Sequence, residues 1–336
     1  MAGVFEKVMD ARHAIVQDMI AMMEKGYFHN RDEWDRAALR PGNPISGVWY
    51  KGGNRLRLMM AVMKHRYTDP RWATARQFNE KGYYIKKGEH GIPCEKWIFT
   101  KNERSVDEHG NTVYKEVELE HPQVSYFTVF NAQQVDGMPP FEKMQEQVAQ
   151  TDLTILGNQL LDVSECPVHM LAQERAFYSP AMDQIILPLR SMFKDEESFI
   201  KTYLHESSHA SGHPSRLNRD LSGTFGSESY AREELRAELG ALFTEIDLGL
   251  SLKAEHYEDH SDYFKSWIGA LDKDVNELFR ACADAQKISE RLIGNYTRKY
   301  ELKQERTLDA IPEKEETQDR NKESRIQENR RPVRSR

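Results

Sequence analysis

Apolar residues at helical spacing mark two consecutive helices in the second half of the chain. The first is predicted over residues 198–212, where Gly212 and Pro214 supply the stop signals. The second is predicted over residues 228–248, and its apolar stripe consists of Leu235, Leu239, Leu242, Phe243 and Ile246. Upstream, residues 176–188 have the pattern of a hairpin with a Pro-Ala-Met-Asp turn and a short apolar second strand. That strand either offers an edge to an extended peptide or only completes a small sheet.

The first half of the chain has shorter apolar runs, which predict a small mixed α/β unit. Strands are predicted over 82–85 and 92–99. Between them lies the tight basic turn Lys86-Lys87-Gly88-Glu89-His90-Gly91, so these two strands are expected to form a hairpin.

Length favours two domains, because 336 residues are many for a single core. The hydrophobic content of 39% is enough for globular packing. We place the domains at 1–135 and 136–302. The predicted fold class is α+β, with a small mixed α/β domain followed by a mostly helical domain that has a short sheet. The charged tail, 303–336, has almost no apolar residues and is predicted to be disordered.

The compartment predicted from the sequence is the cytoplasm. No run approaches 18 apolar residues, so no transmembrane helix and no membrane partner are expected. The first 20 residues lack the apolar region and the cleavage site of a signal peptide. The three cysteines, Cys94, Cys166 and Cys282, are widely separated and are expected to be small buried side chains in a reducing environment.

The first of the two predicted helices carries the sequence His205-Glu206-Ser207-Ser208-His209. Residues four apart lie one above the other on a helix, so His205 and His209 can present two imidazole nitrogens to one metal ion. Glu206 falls beside them, where it can deprotonate a metal-bound water, as in the HExxH arrangement of zinc-dependent hydrolases. At ordinary composition, a chain with 12 His and 54 acidic residues shows this pattern by accident at a rate of roughly a few per cent. The helical context and its stop signals favour a metal site.

A third ligand is expected from the following helix, because a catalytic zinc keeps three protein ligands and one open position. We predict Glu234 as that ligand and Glu238, one turn later, as a residue that orients a liganding imidazole. Glu233 stays open as the alternative ligand, and without the HExxH helix all three would indicate a solvated helix face. The longer HExxHxxGxxH pattern of metzincins is not met, because Ser215 stands at the third histidine position and His213 is two residues too early.

Charge is distributed unevenly along the chain, although the net charge is only −7. Residues 36–102 carry 14 Lys and Arg against 4 Asp and Glu, and most of the remaining chain is acidic. A basic segment joined to an acidic one is typical of a domain that binds a polyanion.

Aromatic residues are interleaved with these basic charges. Proteins that bind single-stranded nucleic acid follow the phosphates with cations and stack bases on rings, at about 1–3 kcal/mol per base. The candidate contacts are Trp49, Tyr50, Lys51, Arg55, Arg57, Trp72, Arg76, Lys86 and Lys87. A small core also needs aromatic residues, so we expect at most three of the nine rings in this segment to stack on bases. No zinc-finger, homeodomain or RNP-type motif is present, so reading of a specific duplex sequence has no support.

Several separate motifs resemble the ArdC-type antirestriction family. Residues 42–99, with Gly42-Asn43-Pro44-Ile45-Ser46-Gly47 and Asp69-Pro70-Arg71-Trp72-Ala73-Thr74, resemble its N-terminal domain, which some plasmid primases share. The C-terminal half, with the HExxH sequence, Phe225-Gly226-Ser227 and a later run from Trp267 to Gln286, is similar to its zincin-like metallopeptidase domain. The resemblance implies a bacterial protein of a mobile genetic element that binds single-stranded DNA without sequence specificity and helps incoming DNA escape restriction.

The resemblance also implies an activity. Zn²⁺, or another divalent metal, would be held by His205, His209 and Glu234, and Glu206 would act as general base in the hydrolysis of a protein or peptide. The alternative is a DNA-coating protection protein whose zincin domain is structural or catalytically silent. One departure is Ser207-Ser208, because the family often has an apolar residue directly after the Glu. This side chain is expected to pack behind the helix and to leave the ligands unaffected.

Overall fold

The computed structural model describes residues 4–24, 37–141, 152–250, 269, 271 and 273–300. The described helices are α1 Val4–Glu24, α2 Gly52–His65, α3 Ala75–Glu80, α4 Leu153–Asp162, α5 Glu196–Ala210, α6 Glu228–Leu248 and α7 Asn276–Tyr300. The described strands are β1 Gly42–Asn43, β2 Val48–Trp49, β3 Trp72–Ala73, β4 Tyr84–Ile85, β5 Ile92–Val106, β6 Thr112–Asn131, β7 Val135–Asp136, β8 Val168–Leu171, β9 Phe177–Ser179 and β10 Gln184–Pro188. This mixture confirms the predicted α+β class, whereas the tail predicted to be disordered lies outside the described residues.

The two longest strands, β5 and β6, form an antiparallel hairpin, and β3 extends the sheet on the other side of β6. The predicted hairpin across the basic turn 86–91 is wrong, because β4 pairs with β7 instead of β5. This pairing places Val135 in a small buried cluster with Phe78 and Tyr83. Burial against residues about 50 positions away in sequence therefore decides the partner of β4, and a local pattern cannot reveal such a pairing.

The second sheet has the strand order β8-β10-β9. The predicted hairpin over 176–188 is confirmed, with β9 and β10 antiparallel and Ile185 opposite Tyr178. Its apolar strand β10 lies in the centre of the sheet, because β8 pairs in parallel along its other side. The possibility that this strand offers a free edge to a peptide is therefore wrong. Strand β10 instead packs against α5, since Ile185 and Leu187 are fully buried in the same cluster as Phe199.

The largest hydrophobic core contains residues of both predicted domains. It joins the methionine-rich face of α2 to apolar residues of α6 and α7. The packing is close, because a Cβ atom at Gly53 would lie 2.5 Å from the Phe279 ring. Cys94 and Cys282 belong to this core, and Cys166 to the one under α5; all three are free thiols, as predicted.

No helix among the described residues has both the length and the apolar character that crossing a bilayer requires.

A buried ionic network fixes α1, the base of the long hairpin and α7 to one another. Glu95 accepts hydrogen bonds from Arg12, Arg57 and the Trp97 indole, and burial of this carboxylate is outweighed by these contacts, which hold its pKa below the ordinary value. Arg12 also donates to Asn276 over 2.6 Å. Its guanidinium lies 4.4 Å from the centre of the Phe279 ring, within the range of a cation–π contact.

Replacing Glu95 with Ala is expected to destabilise the protein by about 3–5 kcal/mol, because the buried Arg57 loses its counter-charge. Chemical denaturation followed by circular dichroism measures this loss. Glu103→Ala is the matched control. Its partner Lys101 is 2.6 Å away and both side chains are 53% exposed, so its removal should cost less than about 1 kcal/mol. Equal losses in the two variants would contradict the role of the network.

Candidate metal centre and nucleic-acid surface

Helix α5 begins two residues earlier than predicted, because Asp195 caps it. The Asp195 carboxylate accepts a hydrogen bond from the Ser198 backbone N–H over 2.8 Å, and Glu196 and Glu197 in the first turn complement the helix dipole. The apolar side of α5 packs on the second sheet. Its opposite side carries His205 and His209, which face α6.

The structure brings His205, His209 and Glu234 together. The two Nε2 atoms are 3.2 Å apart. The Glu234 carboxylate reaches both of them, with its Oε2 3.5 Å from Nε2 of His205 and its Oε1 3.4 Å from Nε2 of His209. These three residues form one group of potential ligands among the described residues.

The spacing of these donors fits a divalent metal ion. Ligands about 2.0–2.1 Å from a tetrahedral zinc lie about 3.4 Å from one another. The three separations, 3.2, 3.4 and 3.5 Å, match that value without any rearrangement of the backbone. Two imidazoles and one carboxylate are also a donor set that zinc accepts while keeping one position open.

The other nitrogen of each imidazole is occupied by a carboxylate. Nδ1 of His205 lies 3.1 Å from Oε2 of Glu238, and Nδ1 of His209 lies 3.3 Å from Oε1 of Glu233. An ionised carboxylate can only accept, so each Nδ1–H donates, and in the neutral imidazole the lone pair of each Nε2 is left for a metal ion. Glu233, the alternative ligand in the sequence, therefore lies on the far side of the His209 ring from Glu234.

Arg219 is a residue of the site that the sequence pattern does not reveal. Its guanidinium binds both oxygens of Glu233, at 2.7 and 3.0 Å, and donates to the Ser208 carbonyl at 2.7 Å. Gly212 makes room for it, since a Cβ there would lie 2.9 Å from the guanidinium. Arg219 stands on the loop after α5, so only the folded loop brings it to Glu233.

Electrostatics favours protonated imidazoles when no metal is bound. Burial would lower the pKa of both histidines, but the hydrogen bonds that the His205 ring donates to the carboxylates of Glu234 and Glu238 outweigh burial and raise the pKa of His205 well above its ordinary value. Glu233 and Glu234 likewise raise the pKa of His209 to about 9. Burial would raise the pKa of Glu234, yet the two imidazoles hold it far below the ordinary value. Without metal, the positive charge of the two protonated imidazoles therefore balances the negative charge of the surrounding carboxylates.

Without metal, the free energy of unfolding is expected to fall as the pH rises from about 6.5 to 9. The folded-state pKa of His209, about 9, lies above the ordinary 6.5, so this stabilisation is complete below pH 6.5 and is lost as the pH rises through 9. Metal competes with the same protons, so the increase in Tm caused by Mn²⁺ should be larger at pH 8 than at pH 6. Thermal unfolding with EDTA or with Mn²⁺ measures both trends. A metal-induced increase that is independent of pH would contradict this competition.

The serines after Glu206 lie behind the metal-facing side of α5. Ser208 is fully buried and donates to the Leu204 carbonyl over 2.8 Å. Ser207 is also buried and borders a cavity of about 20 Å³, where Oγ of Ser207 and Nδ2 of Asn295 have no protein partner. A cavity of this size with two polar atoms suits a single water. The expectation that this side chain packs behind the helix is met.

His213 lies outside the ligand group of the described residues. Its Nδ1 is 2.8 Å from the Ser215 hydroxyl and 3.9 Å from the Asp183 carboxylate, and these contacts hold it in the turn that follows α5. The metzincin pattern therefore fails in the structure as it does in the sequence.

Three of the predicted DNA contacts are buried. Arg55 is 3% exposed and pairs with Asp247 of α6 over 3.0 Å. Arg57 is 1% exposed and pairs with Glu95, and Trp72 is completely buried. These three predictions are corrected: the side chains hold the fold together and offer nothing to a phosphate or a base at the surface.

The other six predicted DNA contacts lie at or near the surface. Trp49 and Tyr50 are half-buried, the first under the Arg40 guanidinium at 4.3 Å and the second with its hydroxyl donating to the Trp72 carbonyl. Lys51 and Arg76 are exposed and paired with Glu290 and Glu80. Lys86 and Lys87 are exposed on the basic turn.

Comparison with known proteins decides the family. Residues 9–130 match the family model of the N-terminal domain of anti-restriction factor ArdC, and residues 158–284 match that of a zincin-like metallopeptidase. An uncharacterized protein, y4eC of Sinorhizobium fredii, is 32% identical over 292 residues, which are 84% of this chain and 91% of that protein. The chain belongs to the ArdC-type antirestriction family. The ArdC-type metallopeptidase domain and the donor set at His205, His209 and Glu234 together support a divalent metal centre.

Solved ArdC structures have the same fold. Crystal structures of the antirestriction ArdC protein from the R388 plasmid, metal-free and Mn(II)-bound, align with a TM-score of 0.66. They are 28% and 27% identical to this chain, cover 85% of it, and are themselves covered to 98% and 97%. Two proteins named DNA primase TraC from Escherichia coli are 38% and 35% identical over 76% and 83% of this ArdC-type chain. The chain spans only 24% and 20% of their length.

Proposed function

We propose that this ArdC-type protein protects the incoming DNA of a mobile genetic element from restriction. In this proposal it binds single-stranded DNA without sequence specificity through its amino-terminal part. It also holds Zn²⁺ at His205, His209 and Glu234 and hydrolyses a protein or peptide there, in the bacterial cytoplasm.

One observation carries the enzymatic half of the proposal. Two imidazole Nε2 atoms and one carboxylate lie 3.2 to 3.5 Å apart, and each imidazole is already turned by a carboxylate behind it. A site whose ligands are oriented before the metal arrives loses little free energy in rearrangement. Three converging donors among the described residues would leave one position open for a water, and this arrangement, in a chain with a metallopeptidase family domain, supports catalysis over a purely structural metal.

The residues divide the chemistry among them. When bound by these ligands, a zinc ion would act as a Lewis acid and would lower the pKa of a bound water toward about 7. Glu206 follows His205 directly and is 6% exposed, and in this proposal its carboxylate would be the general base that takes a proton from that water. Glu238 and Glu233 keep the imidazoles in the tautomer that binds metal. Arg219 balances the buried charge of Glu233.

Titration with salt tests the DNA-binding half. The affinity for a mixed-sequence single strand should fall as the salt concentration rises, with a log–log slope of about −0.7 for each phosphate contacted. Fluorescence anisotropy with labelled oligonucleotides of several sequences measures the slope and the sequence dependence, and the same sequence as a duplex is the comparison. A slope near zero, or a strong preference for one sequence, would contradict the proposal.

A further inference from the structure

Ion pairs occupy many of the cations of the basic segment 36–102. Besides the buried pairs of Arg55 and Arg57, Arg40 pairs with Asp247 and Arg71 with Asp69. The basic turn differs, because Lys86 and Lys87 are exposed and neither forms an ion pair within the described part of the chain. Positive charge that can meet a phosphate therefore remains on this turn.

A ladder of three aromatic rings ends at the surface near this turn. Trp72 is fully buried, and the Tyr67 ring meets it edge-on with the centroids 5.6 Å apart. His65 then stacks on Tyr67, with the centroids 5.4 Å apart and the planes at 25°. His65 is exposed, so the outermost ring of a ladder supported from the core faces solvent.

Gln133 joins the ring ladder to the basic turn. Its side-chain oxygen accepts a hydrogen bond from the Thr68 backbone N–H over 2.7 Å, directly after Tyr67. Its backbone carbonyl accepts one from Nζ of Lys86 over 2.8 Å. Glu89, on the same turn, accepts a hydrogen bond from Nε2 of Gln134 over 2.9 Å, which holds the turn against the residue next to Gln133. The ladder and the turn therefore form one continuous surface.

A second exposed ring lies on this surface. Tyr84 is 61% exposed, although it belongs to strand β4. Residues two apart on an extended strand point to the same face. The extended pairing of β4 with β7 continues one residue past β4, because the Lys86 N–H donates to the Gln134 carbonyl over 3.0 Å. Tyr84 and Lys86 therefore lie side by side, an exposed ring next to a cation.

We infer that single-stranded DNA binds across this ring-and-lysine patch, formed by His65, Tyr67, Tyr84, Lys86 and Lys87. The inference rests on the single-stranded DNA binding proposed above and assigns it a place. Bases stack on His65 and on Tyr84, while Lys86 and Lys87 contact the phosphates between them. Rings have no base preference of their own, which gives binding without sequence specificity.

Anisotropy titrations of the full chain with a labelled mixed-sequence single strand test the patch. His65→Ala and Tyr84→Ala should each weaken binding by about 5- to 150-fold, the effect of losing one stacked base. Tyr84→Trp should retain the affinity because it keeps a ring. The double variant Lys86→Gln, Lys87→Gln should reduce the salt slope by about 1.4, since each lysine releases its counterion share on single strands.

Matched controls come from the long hairpin. Phe99 and Tyr114 are 59% and 69% exposed, and Lys101 is paired with Glu103. Phe99→Ala, Tyr114→Ala and Lys101→Gln should bind like the wild type, and circular dichroism checks the fold of every variant. If the wild type binds but the patch variants bind equally well, the patch is overturned and the proposed function stands. If the wild type binds no single strand at low salt, the proposed function itself fails.

Discussion

Replacing His205 with Ala is expected to leave the purified protein without its stoichiometric metal. The reason is geometric, because His205, His209 and Glu234 are the three donors that converge, and the variant keeps only two. Glu234→Ala should have the same effect. Mass spectrometry of the metal content per chain, after equilibration in a zinc buffer, measures the loss.

Variants of the surrounding carboxylates should give a graded series. Glu238 and Glu233 orient the imidazoles but do not bind the metal. Glu238→Gln and Glu233→Gln should therefore each weaken metal binding by only about 10- to 100-fold. His213→Ala is the matched histidine control and should keep full occupancy, since it lies outside the group. An undiminished metal content in His205→Ala would contradict the assignment of this metal site. Loss of metal in Glu233→Gln but not in Glu234→Gln would instead make Glu233 the ligand.

Glu206→Gln is expected to keep the fold and the metal but to lower the rate of hydrolysis by about 10²- to 10⁴-fold, the usual contribution of a general base. The readout is the survival of unmodified plasmid DNA transferred into a restricting host. If hydrolysis is part of protection, survival should fall to the level seen without the protein.

Two controls make this transfer experiment decisive. Glu228→Gln makes the same chemical change on the exposed start of α6, where the side chain is 43% exposed, and should protect like the wild type. The affinity of Glu206→Gln for single-stranded DNA should be unchanged. Full protection by Glu206→Gln would favour the alternative, a DNA-coating protein with a catalytically silent zincin domain.

The helices around the site were predictable because their signals are local. Helix α6 begins and ends at the predicted residues, since Ser227 caps it and Gly249 at φ 73° stops it. Helix α5 begins two residues earlier than predicted because its cap, Asp195, lies before the apolar stripe that defined the prediction, and it ends at Ala210, two residues before the predicted end. The partner of β4 was not predictable, because it depends on residues far along the chain.

Residue spacing in the sequence predicts two ligands of the metal centre but does not decide the third. The i, i+4 repeat places His205 and His209 on one face of α5. Glu233 and Glu234 are adjacent and equally buried, so only the position of α6 against α5 separates the residue facing the Nε2 atoms from the one behind His209. Arg219 has no motif of its own, because its role follows from loop geometry.

The basic segment shows why a charge count alone misplaces a binding surface. Arg55 and Arg57 add to the positive charge of the sequence, yet their partners Asp247 and Glu95 neutralise them inside the protein. Asp247 lies 192 positions from Arg55, beyond the reach of any local pattern. Composition reports how many cations a chain has, and only burial and pairing report which of them can meet a ligand.

X-ray absorption at the zinc edge of the purified wild-type protein tests the metal centre most directly. The site described here predicts two imidazole nitrogens at about 2.0–2.1 Å and oxygen ligands at a similar distance, with no sulfur. A sulfur shell at about 2.3 Å would contradict it, because that ligand would have to be Cys94, Cys166 or Cys282. A spectrum with oxygen ligands alone would contradict it equally, because His205 and His209 would then not hold the ion.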